Sequence, residues 1–204
     1  MARLFQRSSA RETRDRLHVG CGKFILAEWI NVDLQRAPGV DYVSDVRSGV
    51  RFRELSYVYA EHFLEHLTEP EGARFLRDCR RALRDGGVLR VSTPNLDWVM
   101  TTHYSVNERD PARRRRQCRA INRAFHGWEH RFLYNDATLE HVLRTAGFAQ
   151  VTFHEYGEST DPELRNLEKH EKYPNYGAMQ HVLIAEARGR VGPGQREGTG
   201  SKPP

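Results

Sequence analysis

The sequence predicts a single α/β domain with a mostly parallel sheet, and three observations support that class. Short apolar runs with strand character alternate with longer segments of helical periodicity along most of the chain. The first apolar run ends in a glycine turn, Gly20-Cys21-Gly22, and the second ends in an acidic residue, Asp33. Ligands bind open α/β sheets outside the carboxyl ends of the strands, so we expect the functional residues at that edge.

The order of the predicted elements follows from apolar periodicity and from glycine and proline positions. Strands are expected at about residues 16–19, 30–33, 41–44, 55–60, 88–92, 150–156 and 180–187, and helices at about residues 68–84 and 135–146. Glycines follow both helices and are predicted to cap them, at Gly86-Gly87 and at Gly147. Only a short loop separates the first two strands. Parallel strands normally need about a dozen linking residues for a helical crossover, so the first crossover is predicted to be a single turn or a bare loop.

Composition bounds the class and the domain organisation. The 204 residues suit one domain with a hydrophobic core, and no apolar run approaches the ~20 residues of a membrane span. The N-terminus lacks the apolar stretch of a secretory signal, and three scattered cysteines favour a reduced, cytoplasmic compartment. The net charge of +5 permits an acidic partner without requiring one.

The two ends and one internal segment depart from the alternating pattern. Residues 1–15 are basic and are predicted to be mobile, and residues 189–204 are rich in glycine and proline and are predicted to be disordered. Residues 95–130 carry four consecutive arginines, 113–116, and then a predicted amphipathic helix with Ile121, Ala124, Phe125 and Trp128 on its apolar face. The arginines are either a solvated helix face or an anion-attracting surface, and the first interpretation is favoured.

The glycine turn and Asp33 together suggest a nucleotide site. Glycines one residue apart allow a sharp turn and let a ligand approach main-chain N–H groups without a Cβ in the way. A carboxylate after the second strand can accept hydrogen bonds from both hydroxyls of a ribose. A G-x-G alone is also typical of a tight structural turn. The order strand, G-x-G, strand, Asp strengthens the case for a nucleotide site.

The quoted segments resemble a known family. LHVGCGKF, residues 17–24, followed by WINVDL, residues 29–34, is similar to the first two motifs of class I S-adenosylmethionine-dependent methyltransferases, and most similar to the small bacterial predicted methyltransferases of the type 11-like group. Residues 61–67, EHFLEHL, and the later G-G and T-P-N elements resemble further pieces of that family. The resemblance covers residues 17–188. Two positions depart from the pattern: His18 replaces the usual acidic residue, and Phe24 replaces the third glycine.

The resemblance implies a fold and a cofactor. The fold is the Rossmann-like class I methyltransferase fold, a seven-stranded sheet in the order 3-2-1-4-5-7-6 with only the last strand antiparallel and helices on both faces. The cofactor is S-adenosylmethionine. The cofactor-binding residues carried over by position are Gly20, Cys21, Gly22, Asp33, Leu34, Asp45 and Glu61. For Asp45, a contact with the adenine amino group and a plain Asx turn remain equally open.

The candidate catalytic residues are histidines on the acceptor side of the implied fold. Methyl transfer to a hydroxyl or a protonated amine benefits from a general base, and histidine suits that role near neutral pH. We name His66, His130 and His62, with a structural histidine as the alternative for each. In this fold an insertion after strand five usually covers the substrate pocket, so residues 95–130 are predicted to form a lid over the acceptor.

A metal site is a weaker hypothesis. Residues 62–66, H-x-x-E-H, are similar to the E-x-x-E-H that binds a divalent metal in ubiquinone-type O-methyltransferases and small-RNA 2′-O-methyltransferases. Here His62 stands in place of the first Glu, and another histidine such as His126 or His130 would have to complete the site. Because Glu-His is also common in members of the fold without a metal, the prediction is that no metal is bound.

The predicted function is methyl transfer to an oxygen or nitrogen atom of a small-molecule acceptor, by a monomer or a homodimer. An RNA-directed methyltransferase and a degenerate fold that acts as a binding module are the alternatives, although no appended RNA-binding motif is present and nucleic acid is not the expected partner. A phosphate-loop NTPase is poorly supported because the G-x-x-x-x-G-K-[ST] spacing is missing, and a dehydrogenase would need a third glycine and a longer crossover.

Overall fold

The computed structural model describes residues 12–170 and 172–190. Within these ranges a seven-stranded sheet is accompanied by four α-helices. The strands are β1 Arg16–Val19, β2 Ile30–Asp33, β3 Tyr42–Val43, β4 Leu55–Glu61, β5 Leu83–Pro94, β6 Gln150–Phe153 and β7 Val182–Arg188; the helices are α1 Glu69–Ala82, α2 Leu96–His103, α3 Pro111–His126 and α4 Asp136–Thr145. Short 3₁₀ turns lie at Val46–Ser48, Leu64–His66 and Pro162–Leu164.

The sheet has the order β3-β2-β1-β4-β5-β7-β6. All neighbours from β3 to β5 pair in parallel, and β7 runs antiparallel to both β5 and β6. This confirms the predicted order and the predicted Rossmann-like class. Strands β1 and β4 lie at the centre, which is why both are short apolar runs with few exposed positions.

The first crossover is a bare loop, as its length predicted. The N–H groups of Gly20 and Cys21 both donate to the carbonyl of Val32, so the chain turns directly beside the end of β2. Asn31, buried in β2, holds the rest of the loop: its side-chain amide donates to the carbonyls of Leu26 and Trp29 and accepts from the N–H of Leu26. A buried side-chain amide thus satisfies backbone groups that a crossover helix would pair internally.

Helix α1 begins as predicted but ends earlier. Thr68 and Glu71 form a capping box at its start. Its last residue is Ala82, whereas the sequence predicted about Arg84 with a glycine cap. The difference arises because Leu83 already pairs with Leu55 of β4, so the glycines lie within β5 at a register shift and not at a helix end.

The segment 95–130 contains two helices, and its predicted apolar face is only partly correct. Ala124 is buried, but Ile121 and Phe125 are only half-buried. Trp128 lies beyond the end of α3 and is 53% exposed, with the Arg123 guanidinium 4.9 Å from its ring centre. The predicted helix extends too far, because α3 ends at His126 and Gly127 is its C-cap. The arginines of positions 113–116 are exposed on α3.

Residues 1–11 and 191–204, which make up most of the segments predicted to be mobile or disordered, lie outside the described residues. Residues 12–15 also belong to the predicted mobile segment, yet Arg14 hydrogen-bonds to Asp41 and to Glu12, and Glu12 accepts from the hydroxyl of Tyr42. Across the described ranges, no helix has the length and apolar character needed to cross a membrane.

Candidate active site

The glycine turn and the end of β2 form one side of the site. Gly20 has φ +66° and Gly22 has φ +51°, a conformation that L residues rarely adopt. A Cβ on Gly20 would lie 2.7 Å from Cδ2 of Phe63, so this glycine is needed for packing as well as for the turn. The N–H of Gly22 donates to Oδ2 of Asp33 over 2.8 Å. The two predicted motifs are therefore in direct contact.

Asp33 ends β2 and Leu34 follows it, and both side chains keep accessible surface. Asp33 is half-buried and also accepts the N–H of Gln35 through Oδ1 at 2.8 Å. Each carboxylate oxygen accepts one hydrogen bond within the described chain and keeps a further lone pair. Leu34 is 60% exposed and follows immediately in the chain. An anionic acceptor beside an exposed apolar side chain can receive a group that is polar at one end and flat and apolar at the other.

His18 lies in β1 and Cys21 lies in the glycine turn, and burial favours the neutral form of both side chains. His18 is 2% exposed, hydrogen-bonds through Nδ1 to the side chain of Asn31 and stacks on Tyr59. Burial lowers the pKa of His18 to about 4. Burial also raises the pKa of the Cys21 thiol to about 11. The residue that stands at the family's acidic position therefore contributes packing and no charge.

Asp45 makes the local contacts of an Asx turn. Its carboxylate accepts the backbone N–H of Arg47 at the start of a 3₁₀ turn. It also forms an ion pair with the guanidinium of Arg47 at 2.7 Å. The side-chain hydrogen bonds from the Arg47 guanidinium lower the pKa of Asp45. The Asx-turn alternative accounts for these contacts, and a contact with adenine stays a prediction.

Glu61, at the end of β4, is covered by a segment that sequence reasoning did not include in the site. Its carboxylate accepts the N–H groups of Lys169 and His170 at 2.9 and 3.0 Å, and Nδ1 of His170 lies 3.2 Å away. Burial alone would raise the pKa of Glu61, but these hydrogen bonds outweigh it and lower the pKa. The predicted cofactor contact of Glu61 therefore has to share this carboxylate with the backbone of residues 169–170.

His170 connects the glycine turn to the residues after β4. Its ring centre lies 5.4 Å from that of Phe24 and 4.4 Å from that of His62. Phe24, which stands where the family has its third glycine, thus packs against a residue of the connection between β6 and β7. The signal that could have found His170 is weak, because the contact with Glu61 spans 109 positions and no local period marks it.

His62 and Glu65 form a hydrogen-bonded pair after β4, in which Glu65 is buried and His62 is half-buried. Nδ1 of His62 lies 2.9 Å from Oε1 of Glu65, and the hydroxyl of Thr93 donates to Oε2 at 3.0 Å. Burial opposes charge on both partners, yet the hydrogen bond between them raises the pKa of His62 and lowers that of Glu65. His62 has φ +46°, and such strain in a non-glycine residue is typical of functional sites.

The predicted catalytic histidines His66 and His130 lie side by side, and their role toward an acceptor stays a prediction. Their ring centres are 5.1 Å apart, and Nδ1 of His130 lies 2.7 Å from the carbonyl oxygen of Ala124 in α3. His66 is exposed and His130 is half-buried, and burial lowers the pKa of His130. One ligand atom from each of Glu65, His66 and His130 lies within 4.8 Å of the others. His126, the other histidine considered, is exposed and is not part of this group.

Comparison with known proteins places the chain in a family. The model of a family described as "Methyltransferase domain" matches residues 1–152. That span is well over half of the 204 residues, so the chain belongs to this family of methyltransferase domains. The match confirms the identification that the sequence motifs suggested.

Individual relatives agree with the family. Two proteins from two strains of Mycobacterium tuberculosis, each described as a probable S-adenosylmethionine-dependent methyltransferase, are 33% identical over 112 residues. The aligned part is 45% of this chain and 40% of each relative, so the chain spans less than half the length of these relatives.

Solved structures share the fold. An S-adenosylmethionine-dependent methyltransferase from Archaeoglobus fulgidus superposes with a TM-score of 0.56 at 17% identity over 86% of each chain. One from Mesorhizobium loti gives 0.51 at 19% identity over 85% of this chain and 90% of its own. At these identities the likeness is one of fold, and it confirms the predicted fold class.

Proposed function

We propose that this methyltransferase takes a methyl group from S-adenosylmethionine and transfers it to an oxygen or nitrogen atom of a small-molecule acceptor. One observation carries the proposal. The glycine turn with Asp33 lies along the same edge of the sheet as the histidine group, which consists of His62, His66 and His130. Phe24, His170, His62 and Glu65 contact one another in sequence along that edge. A cofactor pocket and an acceptor pocket that share an edge are what direct group transfer needs.

The residues of the turn fit the cofactor chemically. Gly20 lacks a Cβ where the chain passes closest to Phe63, and Gly22 leaves open space where a side chain would stand. Asp33 would accept the ribose hydroxyls and Leu34 would contact the adenine. When bound, S-adenosylmethionine supplies an electrophilic methyl group, so the protein has to position the acceptor, exclude water and receive a proton.

The three predicted catalytic histidines suit different roles. The lowered pKa of His130 keeps its imidazole neutral near pH 7 and able to accept a proton, and exposed His66 lies beside it. His62 is engaged by Glu65 and its pKa is raised, which suits a positioning role better than that of a base. We therefore assign the base to the pair His66 and His130, where general-base catalysis is worth about 10²–10⁴-fold.

A binding and turnover experiment tests the proposal. Calorimetry with S-adenosylhomocysteine should show binding, with NAD and ATP as controls that do not bind. Methyl-labelled S-adenosylmethionine is then offered with a panel of phenols, hydroxy acids, primary amines and a structured RNA. Label on a small molecule supports the proposal. Label on RNA would mean that the acceptor is RNA and not a small molecule. Absence of S-adenosylhomocysteine binding overturns the proposal and leaves a degenerate binding module.

Variants separate the base from the scaffold. His130→Ala and His66→Ala should lower kcat while leaving the affinity for S-adenosylhomocysteine unchanged. His141→Ala is the matched control, because His141 is exposed on α4 and makes none of the contacts described for the site. Normal turnover in a variant removes that histidine as the base without affecting the proposed reaction.

A further inference from the structure

We infer that Glu65, His66 and His130 form a binding site for a divalent transition-metal ion. The three side chains come from two separate segments, the 3₁₀ turn Leu64–His66 and the extended chain that follows α3. Their candidate ligand atoms all lie within 4.8 Å of one another. Ligand atoms on one ion at bond lengths of about 2.0–2.2 Å are at most ~4.4 Å apart, so the side chains have to draw closer when the ion binds. The inference extends the sequence analysis, which favoured the absence of a metal.

His130 makes a hydrogen bond of the kind that metal-binding histidines make. Its Nδ1 lies 2.7 Å from the carbonyl oxygen of Ala124, and a carbonyl oxygen accepts only from a protonated nitrogen. The proton is therefore on Nδ1, and the lone pair of the neutral ring is on Nε2. Metal-binding histidines characteristically donate their other N–H to a carbonyl or carboxylate, which fixes the tautomer and the ring orientation.

The carboxylate of Glu65 is fixed in the same way. It is fully buried, and its two oxygens accept hydrogen bonds from His62 and from the hydroxyl of Thr93. Each oxygen of a carboxylate has two lone pairs, so both retain one for a metal ion. A buried carboxylate with one neighbouring imidazole gains further stabilisation from a cation beside it.

The backbone holds the two ligand-bearing segments together before any ion binds. The carbonyl oxygen of Glu65 accepts the N–H groups of Arg131 and Phe132 at 2.7 and 3.2 Å. Glu65, itself one of the proposed ligands, thus joins its own segment to the segment of His130 through main-chain hydrogen bonds. Because the two segments are already held together, less entropy is lost in ordering the ligands when the ion binds.

The donor set indicates the class of ion. Two imidazoles and one carboxylate favour Mn²⁺, Fe²⁺, Co²⁺ or Zn²⁺ over Ca²⁺ and Mg²⁺, which prefer oxygen ligands. Three protein ligands leave at least one coordination position open, and His66 is exposed, so that position is accessible from solvent. If the proposed function holds, an acceptor hydroxyl could take this position, where the ion would lower its pKa in place of the imidazole base.

The test measures metal binding without any methyl donor. The full chain, with affinity tags removed and treated with a chelator, is titrated with CoCl₂ and followed by visible absorption, and then with ZnCl₂, MnCl₂ and MgCl₂ by calorimetry. One Co²⁺ per chain with a spectrum typical of nitrogen and oxygen ligands is expected. His130→Ala and His66→Ala should each weaken Co²⁺ affinity by at least ~10-fold, because even residues outside the ligand set commonly contribute that much.

Two further variants keep the result decisive. Glu65→Gln removes the charge at a buried position. If that variant does not fold, His66→Ala still tests the site, because exposed His66 can be changed without disturbing the core. His126→Ala, an exposed histidine at the end of α3, should leave affinity unchanged. Equal Co²⁺ affinity in the parent, His66→Ala and His130→Ala overturns the inference. Binding of S-adenosylhomocysteine is measured separately, so failure of the metal site and failure of the proposed function are distinguishable.

Discussion

The backbone N–H of Gly22 donates to Oδ2 of Asp33 over 2.8 Å, joining the turn after β1 to the end of β2. Oδ1 of the same carboxylate accepts the N–H of Gln35. Asp33 therefore holds the turn in place in addition to its predicted role toward the ribose. In a chain whose first crossover is a loop, this side chain fixes the turn that follows β1.

Replacing Asp33 should weaken cofactor binding. We expect Asp33→Ala to reduce affinity for S-adenosylhomocysteine by ~2 kcal/mol or more, because buried donors lose a charged acceptor. Asp33→Asn keeps one acceptor oxygen without the charge and should fall between the parent and Asp33→Ala. Calorimetry measures both, with circular dichroism as the check on folding. If Asp33→Ala binds like the parent, the assignment of the ribose to this residue is wrong.

His18 should make the protein acid-sensitive. Its folded pKa of about 4 lies below the ordinary histidine value of 6.5, so below pH 6.5 the unfolded chain binds a proton that the folded chain does not. The contribution of His18 to stability is therefore present above pH 6.5 and is lost as the pH falls toward 4. The total loss is ~3 kcal/mol from this residue.

Urea denaturation at several pH values tests that sign and size. His18→Gln removes the titrating group and keeps a side-chain donor for Asn31, so its free energy of unfolding should fall less steeply than that of the parent between pH 6.5 and 4. Other groups also titrate in this range, and the difference between the two curves isolates His18. His141→Gln, at an exposed position, should follow the parent. Parallel curves for His18→Gln and the parent would contradict the buried neutral histidine.

Gly72 and Tyr134 should behave as a coupled pair. An added Cβ on Gly72 in α1 would lie 2.8 Å from the hydroxyl oxygen of Tyr134, which is fully buried and has no hydrogen-bond partner among the described residues. Alanine is favoured over glycine in a helix by about 1 kcal/mol, but overpacking costs about 1–3 kcal/mol. We expect Gly72→Ala to destabilise the parent.

In a Tyr134→Phe background the same change should be stabilising. Removing the hydroxyl removes the clash and also removes an unpaired buried polar group, so Gly72→Ala should then raise the free energy of unfolding by ~1 kcal/mol. A double-mutant cycle by urea denaturation measures the coupling. An equal effect of Gly72→Ala in both backgrounds would mean that the contact does not restrict this position.

The sequence predicted the elements whose signals are local. The first two strands were located to the residue because each is an apolar run ended by a glycine turn or by Asp33. The end of α1 was missed because Leu83 satisfies helical periodicity and also pairs with Leu55, and only the tertiary pairing decides between them. His170 was missed for the same reason, since its contacts with Glu61 and Phe24 depend on how a long connection crosses the sheet edge.

The candidate acceptor side was predicted as a set of residues but not as a geometry. His62 and His66 were grouped by their position after β4, and His130 was added from the insertion that follows β5. Nothing in the spacing indicated that His130 would reach His66 while donating to Ala124, because that contact depends on the packing of α3. Side-chain direction across 64 positions is a property of the folded chain.

The last prediction concerns residues 95–130, which we expect to close over the acceptor. The start of this segment is anchored: the side chain of Asn95 donates to the carbonyl of Gln180, and Leu96 donates its N–H to the carbonyl of Tyr134. The middle of the segment is not anchored in this way. Val106 is 75% exposed in the connection between α2 and α3, and Ala124 is the only fully buried side chain in the described helix α3.

Segments with few buried contacts open at low free energy. Hydrogen exchange should therefore be fast in residues 104–126 of the empty protein and should slow when S-adenosylhomocysteine and an acceptor are present, because lids become ordered on ligand binding. Peptides from α4 serve as the internal control and should not change. Strong protection of residues 104–126 in the empty protein, unaltered by both ligands, would make the segment ordinary scaffold and would leave the acceptor pocket to the histidine group alone.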